Sequence, residues 1–332
     1  MNKKAVALFS GGLDSMLAVR LMLEQGVEVH ALHFYFIFAH KTPEDNEKGI
    51  KKFTEPLGVP VKIIDGTEEL LERIKHPQHA MGKNMNPCID CRIFTFKKAK
   101  EFMKEIRASF IITGEVTGQR PMSQRKQAIM TIEKESGLEG LIVRPLSAKF
   151  FEPTLPEKSG IINRDKLLDI DGRRRVRQIE LAKDFGINDY PCPAGGCLLT
   201  DKCFSERLKD LLKYNASYDI NDLHLLKIGR QFKISDELKF LVGRDEQDNA
   251  KLVSFSKGGD YIFDVLDIPS AVGLARGKVT ESDIEKMASI LARYSDSNGK
   301  SVIVSYRQLP GQDWKNTPAV PAAKNLTEAL HI

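Results

Sequence analysis

The sequence AVALFSGGLDSMLAVRLMLEQG fills residues 5–26. The apolar run over residues 4–9 predicts a buried strand, and the spacing of apolar residues over 14–25 predicts a helix. Ser-Gly-Gly lies between them. Such a junction directs unpaired backbone N–H groups and the positive end of a helix dipole toward the loop, and glycine lets an anion approach the backbone closely. The segment therefore predicts a phosphate-binding turn after the first strand.

The side chains of this loop refine the prediction. Ser10 and Ser15 add hydroxyl donors, but the loop is shorter than a GxxxxGKS/T loop and lacks its lysine. Asp14 would repel a phosphate unless a cation lay beside it, and a magnesium ion associated with this carboxylate removes that objection. The alternative is an ordinary turn whose Asp and Ser side chains cap the helix.

Strands alternate with helices along the first half of the chain. Strands are expected at residues 27–36, 59–65, 108–115 and 140–146. This alternation predicts an α/β domain with a parallel sheet and helices on both faces, whose ligands bind at the carboxyl ends of the strands.

The pattern changes twice toward the C-terminus. A long excursion with prolines and a basic cluster begins near residue 150 and is expected to line a site. Short strands and a single helix then predict a second, smaller α+β domain. The predicted divisions are a first domain at 1–203, a second at 204–310 and a loosely ordered tail at 311–332.

Composition sets outer limits on the function. The 332 residues are 42% hydrophobic and 29% charged, with a formal net charge of +5, which is typical of a globular protein and compatible with a polyanionic partner. No run of about 18 apolar residues predicts a membrane span. The start of the chain does not fit a signal peptide, so a cytoplasmic protein with no membrane partner is expected.

The cysteines indicate a possible metal or redox site. Cys88 and Cys91 form a CxxC pair at the start of a predicted helix, Cys192 and Cys197 form a later pair, and Cys203 stands alone. Four thiolates would suit a closed zinc site, and three would suit a [4Fe–4S] cluster with one open iron position. A disulfide relay or plain buried thiols remain alternatives.

The hexapeptide SGGLDS, residues 10–15, resembles the PP-loop of the ATP pyrophosphatase family. The resemblance implies an adenine nucleotide alpha hydrolase-like fold that holds ATP, cleaves it between the α- and β-phosphates and adenylates its substrate. It implies that Asp14 lies near Mg2+ and that the end of the second strand approaches the adenine. The nucleotide-binding residues implied here are Ser10, Gly11, Gly12, Asp14, Ser15, His33 and Phe34.

Three later segments resemble tRNA thiolases. ITGEVTGQRPMSQ at 112–124 is similar to a segment of tRNA 4-thiouridine synthases and adds Gly114 and Gln119 to the nucleotide site. CIDCRIF at 88–94 and PAGGCLLTD at 193–201 resemble the cysteine segments of a cluster-dependent branch of PP-loop tRNA thiolases.

That resemblance implies roles for individual residues. The implied catalytic residues are Asp14, Cys88, Cys91 and Cys197, and the three cysteines are the implied cluster ligands. Cys192 is the alternative third ligand, and Cys203 is expected to be structural. Glu115 is expected either to position the base or the magnesium ion or to be a surface carboxylate.

Residues 240–306 resemble an NFACT-type RNA-binding domain through VGRDEQDNAKLV and a DIPS turn. Ile262 and Asp264 stand where that family has Trp and His. Long 4-thiouridine synthases begin with an RNA-binding region and some carry a rhodanese-like region, whereas here the PP-loop starts at residue 10. The C-terminal domain is therefore expected to bind the tRNA, helped by Arg173, Arg174, Arg175 and Arg177.

These expectations combine into one function. The chain is expected to adenylate a uridine carbonyl oxygen of tRNA with ATP and Mg2+, and to replace that oxygen with sulfur, giving 4-thiouridine. The cofactor is a [4Fe–4S] cluster or, alternatively, Zn2+; the donor is sulfide or a persulfide carrier, and an oligomer is possible. The alternatives are thiolation to 2-thiouridine or 2-thiocytidine, and a non-enzymatic RNA-binding protein with a vestigial PP-loop.

Overall fold

A computed structural model of the chain describes residues 1–40, 42–191, 197–311 and 313–332. It divides into two compact units, unit 1 (Met1–Thr200) and unit 2 (Asp201–Ile332). The division falls three residues before the boundary that the sequence predicts, because Asp201 already caps the first helix of unit 2 by accepting a hydrogen bond from the backbone of Phe204 (2.8 Å).

Unit 1 is a parallel sheet with intervening helices. Its strands are β1 (Lys4–Leu8), β2 (Glu28–Tyr35), β3 (Val61–Asp65), β4 (Phe110–Thr113) and β5 (Ile142–Val143). Its helices are α1 (Leu13–Leu23), α2 (Pro43–Thr54), α3 (Thr67–Lys75), α4 (Cys88–Glu105), α5 (Lys126–Ser136), α6 (Leu155–Lys158) and α7 (Val176–Asp184).

The strand order is β3-β2-β1-β4-β5 with every pair parallel. Alternate residues of β1 point to opposite faces: Ala5 and Ala7 pack with α1, α2 and α7, whereas Val6 and Leu8 pack with α4 and α5. The predicted parallel α/β fold with helices on both faces is confirmed. The chain leaves β1 toward β2 on one side and β4 lies on the other, so the carboxyl end of β1 is the topological switch point where such sheets bind ligands.

Unit 2 is an antiparallel sheet with helices. Its strands are β6 (Arg230–Lys233), β7 (Leu238–Val242), β8 (Tyr261–Val265), β9 (Gly273–Gly277), β10 (Val302–Gln308) and β11 (Lys315–Ala319), in the order β11-β10-β8-β9-β7-β6. Its helices are α8 (Lys202–Tyr214), α9 (Ile220–Leu225), α10 (Glu246–Ser254), α11 (Glu281–Arg293) and α12 (Lys324–Leu330). The predicted second α+β domain is confirmed, with one correction.

The tail predicted at 311–332 is wrong for most of its length. Residues 315–319 form the edge strand β11, paired with β10, and α12 follows it. The sequence KNTPA hid the strand because it is polar and contains proline, but proline is tolerated where one side of a strand has no partner. None of the helices in the described ranges is long and apolar enough to cross a membrane.

Candidate active site

The glycine loop lies at the switch point, between β1 and α1. Gly11 has φ +73°, which glycine adopts without strain, and a Cβ there would lie 2.8 Å from Ile50 Cδ1. Gly12 is the N-cap of α1 in an extended conformation and has no side chain with which to cap the helix. The first-turn amides of α1 therefore face the loop without a capping side chain, as an anion site requires.

Two serine hydroxyls lie on the same loop. Ser10 Oγ donates to Ser15 Oγ (3.3 Å), and Ser15 Oγ donates to the carbonyl oxygen of Gly12 (2.7 Å). Ser10 is exposed, whereas Ser15 is buried. The two side chains are thus gathered at one point, and rotation of either hydroxyl would present a donor to an anion in the loop.

Asp14 lies in the first turn of α1 and is 9% exposed. Its Oδ2 accepts hydrogen bonds from Gln119 Nε2 (3.1 Å) and from Arg175 Nη2 (3.0 Å). Its Oδ1 is buried without a hydrogen-bond partner. A buried carboxylate oxygen is costly to leave unpaired, so this atom suits a cation that would arrive with a phosphate ligand.

Gly114, at the end of β4, packs directly on the loop. A Cβ at this position would lie 2.5 Å from the backbone carbon of Asp14 and 2.6 Å from Ser15 N. Its visible role is therefore to let β4 approach the first turn of α1 closely, and Gln119 reaches Asp14 from the segment that follows.

His33 and Phe34, at the end of β2, face opposite sides of the sheet. His33 is buried; Nδ1 lies 2.7 Å from the carbonyl oxygen of Phe9, and Nε2 lies 2.6 Å from Asn46 Oδ1. Phe34 stacks on Phe36, with ring centroids 6.1 Å apart, and meets Phe94 edge-on. His33 is thus held on the side of α1 and α2, and a role at the adenine stays a prediction for both residues.

The three described candidate thiols are neighbours. Cys88 and Cys91 occupy the first turn of α4, and Cys197 Sγ lies 3.8 Å from the carbonyl oxygen of Phe38. Burial raises the pKa of Cys91 to about 12 and that of Cys197 to about 11, and it raises the pKa of Cys88 as well. Ionisation of one of these thiols would also raise the pKa of its neighbours, because a nearby negative charge disfavours a second one. Cys91 lies within electrostatic range of both other thiols.

This donor set fits a soft metal ion or an iron–sulfur cluster, since thiolates select such groups and a bound cation would displace the thiol protons. In residues 1–40, 42–191, 197–311 and 313–332, however, no three or more His, Cys, Asp or Glu side chains lie in positions that could hold a metal ion, so the thiols are neighbours without forming a completed metal site. Cys192 lies outside the described residues. Cys203 is exposed on α8 rather than buried in a structural role.

Glu115 is not the surface carboxylate that was one expectation. It is 3% exposed and binds two guanidinium groups: Arg92 Nε at 3.0 Å from Oε1 and Arg144 Nε at 3.0 Å from Oε2. Burial opposes its ionisation, but the two arginines hold its pKa below the usual range. Arg144 also pairs with Glu133 on α5.

The arginines of 173–177 divide into two groups. Arg173 and Arg174 are exposed, and Arg177 forms a surface ion pair with Asp169 (2.7 Å). Arg175 turns inward to Asp14, because the backbone nearby is fastened to the β4 side: Gly172 N donates to the carbonyl oxygen of Thr117 (2.8 Å).

The predicted loop residues lie close to Gly114 and Gln119. The three thiols lie close to one another and to Arg92. Sequence reasoning missed Arg175 as a partner of Asp14, and it missed Arg92 and Arg144 as partners of Glu115. No signal in the sequence identifies these pairs, because a linear pattern does not show which distant charged residues meet in the fold.

The glycine loop lies at the switch point of the parallel sheet, which is the place where nucleotide-binding α/β domains bind their ligands. Residues 1–150 match the family described as thiamine biosynthesis protein (ThiI), and residues 229–329 match the family described as NFACT protein RNA binding domain. The two matches lie one after the other along the chain, and they confirm both resemblances.

Curated relatives match part of the chain. A probable tRNA sulfurtransferase of Thermococcus kodakarensis is 34% identical over 148 residues, covering 43% of this chain and 36% of that protein. A tRNA-specific 2-thiouridylase MnmA of Nitratiruptor sp. is 31% identical over 118 residues, covering 34% and 35%. The chain thus spans about a third of the length of these relatives.

Among solved structures, a 4-thiouridine synthetase–RNA complex with bound ATP aligns with a TM-score of 0.38 at 22% identity, covering 68% of this chain and 52% of that one. A similarity of that size carries no argument about chemistry.

Proposed function

We propose that the chain is an ATP-dependent tRNA sulfurtransferase that converts a uridine carbonyl to a thiocarbonyl. The observation that carries the proposal is that unit 1 contains two features together. One is the glycine loop with Asp14, whose Oδ1 is buried without a hydrogen-bond partner, and the other is the group of three neighbouring thiols. The names of the two relatives agree with it, since both describe sulfur transfer to tRNA.

ATP would bind with its β- and γ-phosphates over Gly11 and Gly12. The first-turn amides of α1 and the hydroxyls of Ser10 and Ser15 are the available donors, and Asp14 Oδ1 is the available ligand for Mg2+. Such fixed donors stabilise the charge that develops on departing pyrophosphate.

The first reaction step is attack of the uridine carbonyl oxygen on the α-phosphorus. The O–P bond forms, the bond to the β-phosphate oxygen breaks, and pyrophosphate leaves with its electron pair. In the second step hydrosulfide adds to the activated carbon; the C–S bond forms, AMP leaves with the former carbonyl oxygen, and a proton is released. No change of oxidation state is needed when sulfide is the donor.

Cys88, Cys91 and Cys197 are the residues that would hold a [4Fe–4S] cluster, or alternatively zinc. When bound by three cysteines, a cluster supplies one iron with an open position for an exogenous sulfur ligand. The protein's own contribution is to keep the thiols half-buried and to place the Arg92 guanidinium beside Cys91, where it favours the thiolate.

tRNA would contact unit 2, whose residues 229–329 match an RNA-binding family, and the exposed Arg173 and Arg174 of unit 1. The uridine target favoured here is 4-thiouridine. A second product, 2-thiouridine, is the alternative candidate because one relative is named as a 2-thiouridylase.

The test is nucleoside mass spectrometry of unmodified tRNA after anaerobic incubation with reconstituted protein, ATP, Mg2+ and sulfide. We expect 4-thiouridine from the wild type and from Cys203→Ser, and none from Cys88→Ala, Cys91→Ala or Cys197→Ala. A 2-thiouridine or 2-thiocytidine peak would keep the chemistry and change the target base. Absence of any thionucleoside from protein that carries its full metal content would exclude sulfide as donor and favour a persulfide carrier or the RNA-binding alternative.

A further inference from the structure

The chain contains a single tryptophan, and unit 2 leaves it at the surface. Trp314 directly precedes β11 and is 46% exposed. An indole covers a large apolar area and loses little conformational freedom when it binds, so tryptophan is enriched at binding surfaces. Its position in the fold therefore indicates what kind of ligand this surface could take.

The strand register places Trp314 opposite Arg307. In the β10–β11 pair Tyr306 lies opposite Lys315, so the next position along the two strands brings Arg307 opposite Trp314. Val304 belongs to the same apolar cluster as the buried residues of α11. Because alternate residues of a strand point to opposite faces, Arg307 lies on the face of the sheet that is turned away from α11.

Helices cover this second face over only part of the sheet. Leu225 of α9 and Leu252 of α10 pack there with residues of β7, β8 and β9, including Ile262 of β8. On β10, which is farther along the strand order, Ile303 lies on the same face and is 42% exposed. The face is thus open to solvent at β10, and Trp314 lies at this open part.

The guanidinium of Arg307 covers one face of the indole. Its Cζ lies 4.8 Å from the centroid of the Trp314 ring, a distance at which a cation is attracted to the face of an aromatic ring. Its Nε is buried and has no hydrogen-bond partner in the part of the chain that the structure describes. The ring is therefore held from one side, and its exposed area lies on the other face and at its edges.

A flat, uncharged ring system carried on a polyanion fits this surface. Unpaired bases of RNA stack on aromatic side chains, whereas the bases of a duplex are already stacked on each other. Asp313 and Lys315 flank Trp314 with opposite charges, so Arg307 leaves the immediate surroundings net positive. Both Arg307 and Trp314 lie within residues 229–329, which match the RNA-binding family. These observations favour RNA over an apolar protein partner.

We propose that Trp314 is a stacking site for an unpaired RNA base, and that Arg307 is a positioning residue that holds the indole. The inference rests on the proposed action on tRNA and deepens it, because it names the side chain of unit 2 that takes a base.

The test uses the fluorescence of Trp314, which is the only tryptophan signal of the full-length protein. We expect unmodified tRNA and a single-stranded oligoribonucleotide to quench this fluorescence when they bind, and duplex RNA of the same length to quench it much less. The measurement is made on the wild type, so it does not depend on the folding of a variant.

Variants then separate stacking from charge. Trp314→Ala should weaken binding of the single strand about tenfold in filter binding. It should leave the slope of log affinity against log salt unchanged, because it removes no phosphate contact. Trp314→Phe should keep most of the affinity because it keeps a ring. Arg307→Gln should uncover the second face of the indole, so that acrylamide quenches the RNA-free protein more strongly, and it should also weaken binding of the single strand.

The matched control is Leu326→Ala. Leu326 is 37% exposed on α12, which contacts β6 at the opposite edge of the sheet, so its loss should leave RNA affinity unchanged.

The outcomes distinguish this inference from the proposed function. If the wild type binds tRNA without quenching of Trp314, or if Trp314→Ala binds the single strand as tightly as the wild type, the stacking site is overturned alone. Quenching that follows protein concentration rather than RNA would assign the face to a second copy of the chain and would also overturn it. Failure of the folded wild type to bind tRNA overturns both. Quenching by tRNA without formation of any thionucleoside overturns the proposed sulfur transfer and supports the stacking site.

Discussion

Two glycines of the candidate nucleotide site have very different surroundings. A Cβ on Gly114 would collide with the backbone of Asp14 and Ser15, which cannot move without shifting the start of α1. A Cβ on Gly12 would lie 3.5 Å from Ser10 Oγ, which is an ordinary contact, and its φ of −89° is open to any residue. Packing thus requires glycine at position 114. The fold does not require glycine at position 12, so a requirement there would come from the bound anion.

The two positions therefore give a matched pair of variants. Gly114→Ala should lower the free energy of unfolding by about 1–3 kcal/mol through overpacking. Gly12→Ala should cost less than about 1 kcal/mol as an N-cap change, yet weaken pyrophosphate binding about tenfold or more by blocking close approach of the anion. Urea unfolding and calorimetric titration measure the two effects. Equal stability losses for both variants would contradict the assignment.

At the scale of elements, Glu115 joins three parts of unit 1. It follows β4, Arg92 belongs to α4 and Arg144 follows β5, so one buried carboxylate fixes the helix that carries two candidate thiols against the sheet. A buried charge whose partner is removed is strongly destabilising, whereas exposed pairs contribute little.

Glu115→Gln should lower the free energy of unfolding by about 3 kcal/mol, because Arg92 and Arg144 lose their shared counter-ion. Glu105→Gln, which breaks an exposed pair with Lys62 at the far end of α4, should change it by less than about 0.5 kcal/mol. Urea unfolding gives the totals, and hydrogen exchange in β4 locates the loss. Similar effects of the two substitutions would show that the buried network is not an anchor.

Hydrogen bonds of His79 link the segment before α4 to both α4 and α5. His79 Nδ1 lies 2.6 Å from Asp90 Oδ1 and Nε2 lies 3.0 Å from Glu135 Oε1. The hydrogen bond to Asp90, followed by that to Glu135, raises the pKa of His79 above 6.5. This stabilisation is fully present below the unfolded-state pKa of 6.5 and is lost as the pH rises through the higher folded-state pKa.

His79→Gln should therefore destabilise the protein more at about pH 5.5 than at about pH 8.5, since these two values lie below and above the ordinary histidine pKa. His331 provides a control of opposite sign, because burial lowers its pKa and its contribution is lost as the pH falls. Urea midpoints at the two pH values measure both. A pH-independent effect of His79→Gln would contradict the ionised pair.

The features that the sequence predicts correctly are those that depend on residues close together in the chain. The strand–loop–helix unit at 4–25, the parallel sheet and the CxxC at a helix start all depend on neighbouring residues. The sequence does not predict the ion pairs of Asp14 with Arg175 and of Glu115 with Arg144, because a linear pattern does not show which distant charged residues meet in the fold. Strand β11 was missed for another reason: an edge strand has no apolar alternation to reveal it.

At the scale of the whole molecule, the net charge and the exposed arginines are compatible with a polyanionic partner. The net charge is +5, residues 229–329 match the family described as NFACT protein RNA binding domain, and Arg173 and Arg174 are exposed in unit 1. Phosphate contacts of this kind release counterions and make affinity depend on salt.

The double substitution Arg173→Gln and Arg174→Gln should weaken tRNA binding and lower the slope of log affinity against log salt by about one per arginine that contacts a phosphate. Filter binding of the full chain between about 50 and 200 mM salt measures the slope. Lys183→Gln, a charge change on the exposed side of α7, is the control. An unchanged slope would exclude these arginines from the RNA surface.

The distance along the chain between Asp14 and its partners also orders events during synthesis. The glycine loop leaves the ribosome early, but Gln119 follows Asp14 by 105 residues and Arg175 follows it by 161. Until then, Asp14 on the nascent chain has neither partner, and contacts this far apart are the slow ones to form. A nascent chain ending at residue 150 would hold the whole ThiI-matched segment and still lack both Arg175 and Cys197. The hydrogen bonds of Asp14 are therefore completed only by the last part of unit 1 to be translated.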